Sequence, residues 1–505
     1  MGAGVHVMLA KDIDSVAYAH YFVMKPRVLD RNLRDCFVTA LDTEFRLPYH
    51  NPYTEQELQA KLGQPTLPGE YANTAQSFLT VCFGRGGHVA RWKPDRPVAL
   101  AELCGWMLRC LEEWKVDYAG KRIVVCSHWL LAEIQHISDL TPRFREYGSG
   151  YYGEYEFRPE EWTNYNPPQY RIEQTVGSVK FEFVDTYALF GMKLETLTAD
   201  TPFPKRKDSE MWHGRPWKWW RAHPDVLFAE DEQVFWDYAE NDVRALEYSV
   251  NYWRQWIWDK WNVDILREKT FSSIALRILR GYYLNESLEP YEIRETVTKK
   301  GRPKKEFRFD QTKRALRTDF MLGYYGGRRE VYVRGFMNGP IYSYDVSKEY
   351  TTAAIMQPLP NAKTAWFGSK LPPDFNVNDY EGVVEFKFEF PENVKTPCLP
   401  VQDERFNKLV FPRCGVTRAG LAEVRLALKL GAKVDFLNGY VFRLGPDEIN
   451  HPIRRFLEDV LRLANENNDR PGEKLFKNIA NGLIGKLCYR REIERKEDRG
   501  WAERI

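Results

Sequence analysis

This sequence predicts an α/β layer protein, on two observations. Short apolar runs of strand length alternate with helical patterns through the first half of the chain, and a helical period then continues from about Asp231 to Trp258. Phe37 to Phe45, Ser77 to Phe83, Arg122 to Cys126 and Val179 to Thr186 read as strands, with helices over Val98 to Val116 and Leu130 to Leu140. A Pro/Trp-rich insertion from about Thr201 to Asp225 precedes the long helix, and the first domain boundary is placed after that helix.

Beyond the boundary, residues 270–290 read as helical, and Glu292 to Thr298 with Glu306 to Phe309 as a hairpin. Its turn carries the basic run Lys299-Lys300-Gly-Arg302-Pro-Lys304-Lys305, either a solvated turn or a loop that reaches a nucleic-acid groove. Strands are expected at Val331 to Val333, Ile341 to Val346 and Gly382 to Phe390. Two helices, Ile453 to Glu466 and Lys474 to Leu483, flank the turn signal Asn-Asn-Asp-Arg-Pro-Gly. No internal repeat or low-complexity tract interrupts this pattern.

Composition bounds the function classes. With 505 residues, 43% hydrophobic and 29% charged, the chain is long enough for several domains and does not read as disordered. Apolar stretches are too short for a membrane span and the first thirty residues lack a signal-peptide core, so an intracellular protein without membrane contact is expected. Eight cysteines without a CxxC pair read as reduced thiols. A net charge of +2 means that any polyanion must be held by local basic clusters. Gly84-Arg-Gly86-Gly87 lacks the Lys-Ser/Thr of a phosphate loop and reads as a hairpin turn.

Carboxylates carry the candidate chemistry. Asp42 and Glu44 end an apolar run two residues apart, which places both on one face of a strand, about 7 Å apart. Far downstream, Tyr238 and Asp242 stand at i and i+4 on the long helix, on a stripe that also holds Phe235 and Leu246. A carboxylate on an apolar stripe is costly unless paired or metal-bound. Between them, Asp185 ends a strand, and Ser127-His128 opens a helix that carries Ala132 and Glu133. Phosphodiester hydrolysis by two divalent ions needs three or four carboxylates converging from separate elements, and this set supplies them.

In order and context, Asp42-Thr-Glu44, a central carboxylate and Tyr238-xxx-Asp242 resemble the three motifs of the DEDD-type, RNase H-like proofreading exonuclease of family-B DNA polymerases. The family's middle motif is Asn, a spacer, an aromatic and Asp; here His128 through Glu133 stands in its place, with Asp139 a substitute for Glu133. The resemblance implies that Asp42, Glu44, Glu133 and Asp242 hold Mg²⁺, with Mn²⁺ an alternative, and that Tyr238 orients the attacking water. Asp185 is kept as a structural residue.

The second half resembles the same family. Tyr325-Gly326-Gly327 is similar to its YxGG DNA-binding linker, and Asp345-Val-Ser347-Lys-Glu-Tyr350 to the first palm motif, Asp, two residues, Ser-Leu-Tyr-Pro. Lys477-Asn-Ile-Ala-Asn481-Gly-Leu-Ile484-Gly485 is similar to the Lys-xxx-Asn-Ser-x-Tyr-Gly pattern of a fingers helix, about 130 residues after Asp345, the spacing of compact phage and organellar enzymes. The resemblance implies Asp345 as a metal ligand, and Tyr350, Lys477 and Asn481 as nucleotide-binding residues.

Its domain plan is an exonuclease domain over 1–265, a linker and start of the palm over 266–340, palm over 341–450 and two-helix fingers over 451–505. The family's Tyr-x-Asp-Thr-Asp motif does not occur in these residues. The implied function is template-directed nucleotidyl transfer with 3′→5′ proofreading, present here without the second palm carboxylate and the thumb. Implied partners are DNA primer-template, dNTPs and, if the enzyme is split, a second polypeptide supplying the rest of palm and thumb. The alternatives are a 3′→5′ exonuclease with a remnant polymerase half, and a DNA-binding replication accessory.

Overall fold

The computed structural model describes residues 29–30, 32–34, 36–46, 78–96, 98–130, 137, 162–163, 169–284, 291–297, 303–309, 323, 325, 335, 338–340, 342, 344, 346, 348–356, 365–368, 370–403, 408–444 and 451–487. The chain folds as two compact units, one of residues 29–278 and 460–482, the other centred on residues 279–459.

The first unit is built on a seven-stranded sheet of order β3-β2-β1-β4-β7-β6-β5. Its members are β1 (Cys36–Arg46), β2 (Phe78–Arg85), β3 (His88–Trp92), β4 (Arg122–Ser127), β5 (Trp162–Thr163), β6 (Gln169–Val176) and β7 (Val179–Asp185). β1, β4 and β7 run parallel, and the outer pairs are antiparallel. β4 is buried continuously from Ile123 to Ser127, as a strand covered on both faces must be. One cover is helix α1 (Leu100–Glu113), whose Leu103, Cys104, Met107 and Leu111 pack with Phe83, Ile123, Phe181 and Phe183. After β7 follow α2 (Thr186–Phe190), α3 (Trp217–Ala222), α4 (Pro224–Glu230) and the long helix α5 (Glu232–Trp261).

α5 starts where Asp231 accepts the Val234 amide at 3.0 Å and stops at Asn262 in the left-handed region. It lies close on the sheet because β2 offers no side chain at Gly84: a Cβ there would stand 2.4 Å from Val243 Cγ1. Two residues later the hairpin turns through Gly86 and Gly87, with φ of +59° and +87°, the pair of left-handed residues a type I′ turn requires. The expected hairpin is therefore present. α6 (Phe271–Ile278) continues as a π turn to Tyr283.

In the second unit, β8 (Tyr291–Val297) pairs antiparallel with β9 (Pro303–Phe309), the expected basic hairpin, whose turn lies outside the described residues. α7 (Glu349–Met356) follows. A four-stranded antiparallel sheet joins β10 (Ala365–Gly368), β11 (Tyr380–Glu389), β12 (Cys414–Gly420) and β13 (Lys433–Arg443) in the order β10-β13-β11-β12. Helix α8 (Leu421–Lys429) buries Leu421, Val424 and Ala427 against Val384, Phe386, Phe388 and Val441. Gly382, at φ +140°, meets the Tyr440 carbonyl so closely that a Cβ would lie 2.1 Å from its oxygen.

The last helices are α9 (Pro452–Glu466) and α10 (Pro471–Leu487), and the division between units falls within both. Residues 460–482 thus fold with the seven-stranded sheet unit. Two further expectations differ. β6 is not among the expected strands, and no strand is present at Tyr342, Tyr344 or Val346. Val331 to Val333 and nearly all of the helix expected over Leu130 to Leu140 lie outside the described residues. Cys82, Cys104, Cys110 and Cys126 are buried free thiols, whereas Cys414 is exposed. No helix among the described residues is long and apolar enough to cross a membrane.

Candidate metal centre

β1 and α5 bring three of the expected carboxylates together. Asp42, Glu44 and Asp242 each offer an oxygen, and these atoms lie within 4.8 Å of one another. Alternation along β1 places Asp42 and Glu44 on the face that α5 covers, and Asp242 looks down from the helix. Ser127 Oγ donates to the Leu41 carbonyl at 3.0 Å and so fixes the end of β4 beside Asp42. Tyr238, one turn before Asp242, is buried and packs edge-on against Trp217 at 5.2 Å between ring centroids.

Lys205 completes the cluster, and sequence reasoning missed it. Its ammonium pairs with Asp242 and lies 3.4 Å from the Tyr238 hydroxyl, and its side chain is largely shielded from solvent. Asn241, next to Asp242, holds the loop that carries it by donating to the Pro204 carbonyl at 3.1 Å. The residue sits in the Pro/Trp-rich insertion with no fixed spacing to any carboxylate. The one signal available was charge: three converging carboxylates need a cation.

The electrostatics carry that imbalance. Burial first, and then the Asp242 carboxylate, push Asp42 up to about 7 against the pull of Lys205. Glu44 is raised well above the usual carboxylate range by burial and then by Asp42. Burial opposes the charge on Lys205, but Asp242, Asp42 and Glu44 outweigh it and raise its pKa. Tyr238 is held as a neutral hydroxyl by burial and by the same carboxylates.

The donor set fits a hard divalent ion. Oδ2 of Asp42 and Oδ1 of Asp242 are buried without a hydrogen-bond partner among the described residues. Three carboxylates against one ammonium leave two formal negative charges, which one divalent ion balances, and oxygen donors suit Mg²⁺ or Mn²⁺.

Other expected residues divide as follows. Asp185 caps α2, accepting from the amides of Tyr187 at 2.9 Å and Trp129 at 3.2 Å, and burial raises it to about 6 in spite of those bonds. His128 bonds Thr186 Oγ1 through Nδ1 at 3.1 Å and stays neutral, since burial and the Lys205 charge lower its pKa to about 3. Glu133, Asp139, Gly326, Gly327 and Asp345 lie outside the described residues. Tyr325 is half-buried with its hydroxyl 3.5 Å from Thr417 Oγ1, and Tyr350 is exposed on the first turn of α7. On α10, Lys477 pairs with Glu473 at 2.6 Å and Asn481 is exposed, while Asn478 anchors the helix to the carbonyls of Phe190 and Gly191, both at 2.9 Å.

This arrangement of sheets and helices is a phi29 polymerase-like α/β fold. The phi29 DNA polymerase complexed with primer-template DNA and incoming nucleotides superposes with a TM-score of 0.51 at 11% identity, covering 90% of this chain and 68% of that one. Its orthorhombic crystal form gives 0.50 at 12% identity, covering 89% and 68%.

The chain belongs to the DNA polymerase type B family, organellar and viral, whose profile matches residues 232–495. It is also 34% identical over 173 residues to the primer-independent DNA polymerase PolB of Escherichia coli, a stretch that is 33% of this chain and 20% of that protein.

Proposed function

We propose that the seven-stranded sheet and the helices that follow it up to α5 form the 3′→5′ proofreading exonuclease of a family-B DNA polymerase, an RNase H-like domain, with Asp42, Glu44 and Asp242 as its metal ligands. The convergence of those oxygens within 4.8 Å is the observation that carries this reading. Divalent ions held there supply a hydroxide-like nucleophile at neutral pH and neutralise charge on the scissile phosphate. The chain's own groups do the rest. The neutral Tyr238 hydroxyl donates a hydrogen bond that orients the attacking water, and the Lys205 ammonium, paired with Asp242, holds that carboxylate in place. Glu133, or Asp139 in its stead, is the proposed fourth carboxylate.

For nucleotidyl transfer the proposal assigns Asp345 to a metal and Tyr350, Lys477 and Asn481 to the incoming nucleotide. Tyr325, Gly326 and Gly327 are assigned to primer-template DNA. The proposed domains are 1–265 for the exonuclease, 266–340 for the linker, 341–450 for the palm and 451–505 for the fingers. Family membership supports this half of the reading. Nucleotidyl transfer by two metals needs a second palm carboxylate, and no Tyr-x-Asp-Thr-Asp motif occurs in these 505 residues. These residues alone are therefore proposed to trim primers and to extend them only when that carboxylate is supplied.

The test incubates the protein with a 5′-labelled, 3′-recessed primer-template and Mg²⁺, with and without dNTPs. Primer shortening in both reactions, reduced at least ~100-fold in Asp42→Ala, is expected, since the metal supplies several kcal/mol of transition-state stabilisation. Trimming that survives Asp42→Ala removes Asp42 from the site, and extension by these residues alone refutes the account of the second unit.

A further inference from the structure

We infer that Tyr248 and Tyr252 of α5 form a stacking track for the single strand whose 3′ end lies at the carboxylate cluster, an inference that rests on the exonuclease reading. Both rings are exposed, at 43% and 50%, whereas Trp253 on the same stretch of helix is buried. Their planes are parallel within 5° and their centroids 6.5 Å apart, so bases stacking on them lie in one ladder. Aromatic faces bind single-stranded bases without regard to sequence, the property a proofreading site needs.

The two tyrosines form a wall shared by two hollows of about 340 and 370 Å³. The first is lined by the Gly86-Gly87 turn, Phe203, Arg244 and Asn251, the second by Thr201, Asn467 and Arg470. Charge along this track favours a polyanion. Glu240 is shared between Arg91 and Arg244, which leaves one positive charge in excess. Glu247 is engaged by the Gly86 amide at 2.9 Å and by Arg85 at 3.2 Å. Arg470 is exposed and has no ion-pair partner among the described residues, and Asp200 is the exposed acid set against these arginines.

The segment that carries Phe203 links the track to the metal centre. Phe203 packs edge-on to Tyr248 at 6.4 Å, and two residues later Lys205 pairs with Asp242. At ~1.5 Å of rise per residue, Tyr248 and Tyr252 stand about 9 and 15 Å along α5 from Asp242, a span of a few nucleotides. A strand with its 3′ end at the carboxylates therefore crosses the Phe203 ring and lies along both tyrosines, with phosphates toward Arg244 and Arg470.

The test measures trimming of a long oligothymidylate and of a trinucleotide by the wild type, Tyr248→Ala/Tyr252→Ala and Tyr248→Phe/Tyr252→Phe. In parallel, fluorescence anisotropy follows binding of the long strand in EDTA. The wild type is expected to show a lower KM for the long strand, and the Ala pair to lose that preference through a KM rise of about ten- to a hundredfold. The Phe pair, which keeps the rings, is expected to restore it. An Ala pair that retains the preference and the affinity overturns the track while leaving the exonuclease standing, and so does a Phe pair as impaired as the Ala pair. A wild type that trims nothing, yet loses anisotropy in the Ala pair alone, refutes the exonuclease and keeps the track.

Discussion

Two clusters of buried charge lie at opposite ends of the packing between β1 and α5, and they are built on opposite principles. Near the starts of β1 and the end of α5, Asp264 accepts from Arg254 Nε at 2.9 Å, from Arg254 Nη2 at 3.0 Å and from the Arg34 amide at 2.9 Å. Burial there works to raise Asp264, but Arg254 and the backbone donors prevail and its pKa is lowered. Asp30 and Arg277 at 2.7 Å, and Arg122 and Glu182 at 2.6 Å, extend the same balanced pairing. Further along both elements, Asp42, Glu44 and Asp242 share one ammonium, two of their oxygens lack a partner among the described residues, and Asp42 and Glu44 are pushed up rather than down. Balanced charge holds a fold together, and a deficit of positive charge marks a place for something to bind.

That contrast is broken most directly at its balanced end. Arg254→Met leaves Asp264 buried without its guanidinium and is expected to cost about 3–5 kcal/mol in urea unfolding followed by tryptophan fluorescence. A cost below ~1 kcal/mol would show that the pairing contributes no more than a surface ion pair.

A smaller effect is expected at Gly84, which sets the approach of α5 to the sheet. Gly84→Ala places a Cβ 2.4 Å from Val243 Cγ1 and is expected to cost about 1–3 kcal/mol. It is also expected to raise the Mg²⁺ concentration needed for trimming, because Asp242 moves with the helix while Asp42 and Glu44 stay on β1. Unchanged metal dependence at reduced stability would mean that the helix tilts without displacing Asp242.

The smallest and most diagnostic effect lies at the deficient end. A carboxylate raised to about 7 in the fold, against about 3.9 in the unfolded chain, binds protons that the unfolded chain has released. Metal-free protein should therefore lose stability as pH rises from about 4 to 7, and Mg²⁺ should reverse the loss at the upper end. Asp42→Asn should flatten that slope and stabilise the metal-free protein at pH 8 by on the order of 1 kcal/mol, while abolishing trimming. An Asn variant less stable than wild type in EDTA would contradict the charge deficit. At Asp264 the sign is opposite: its contribution is present above the unfolded pKa and lost as pH falls through the lowered folded value.

By itself the sequence determined the strands and helices whose period is strong and whose burial is complete. β1, β4, β7 and α5 stand within a few residues of expectation, because an apolar strand or stripe has one way to hide from water. The same local periodicity put Asp42 with Glu44 and Tyr238 with Asp242. β6 stayed invisible because an edge-side antiparallel strand needs little apolar surface, and its partner β7 supplies the order.

Only the tertiary structure decided what depends on distance between remote segments. It brought Asp242 within 4.8 Å of residues two hundred positions earlier and inserted Lys205 among them, and it aligned Tyr248 and Tyr252 beside Phe203 and the Gly86-Gly87 turn. Charge pairing and groove shape are sums over neighbours, and neighbours separated by long stretches of chain leave no spacing in the sequence to read.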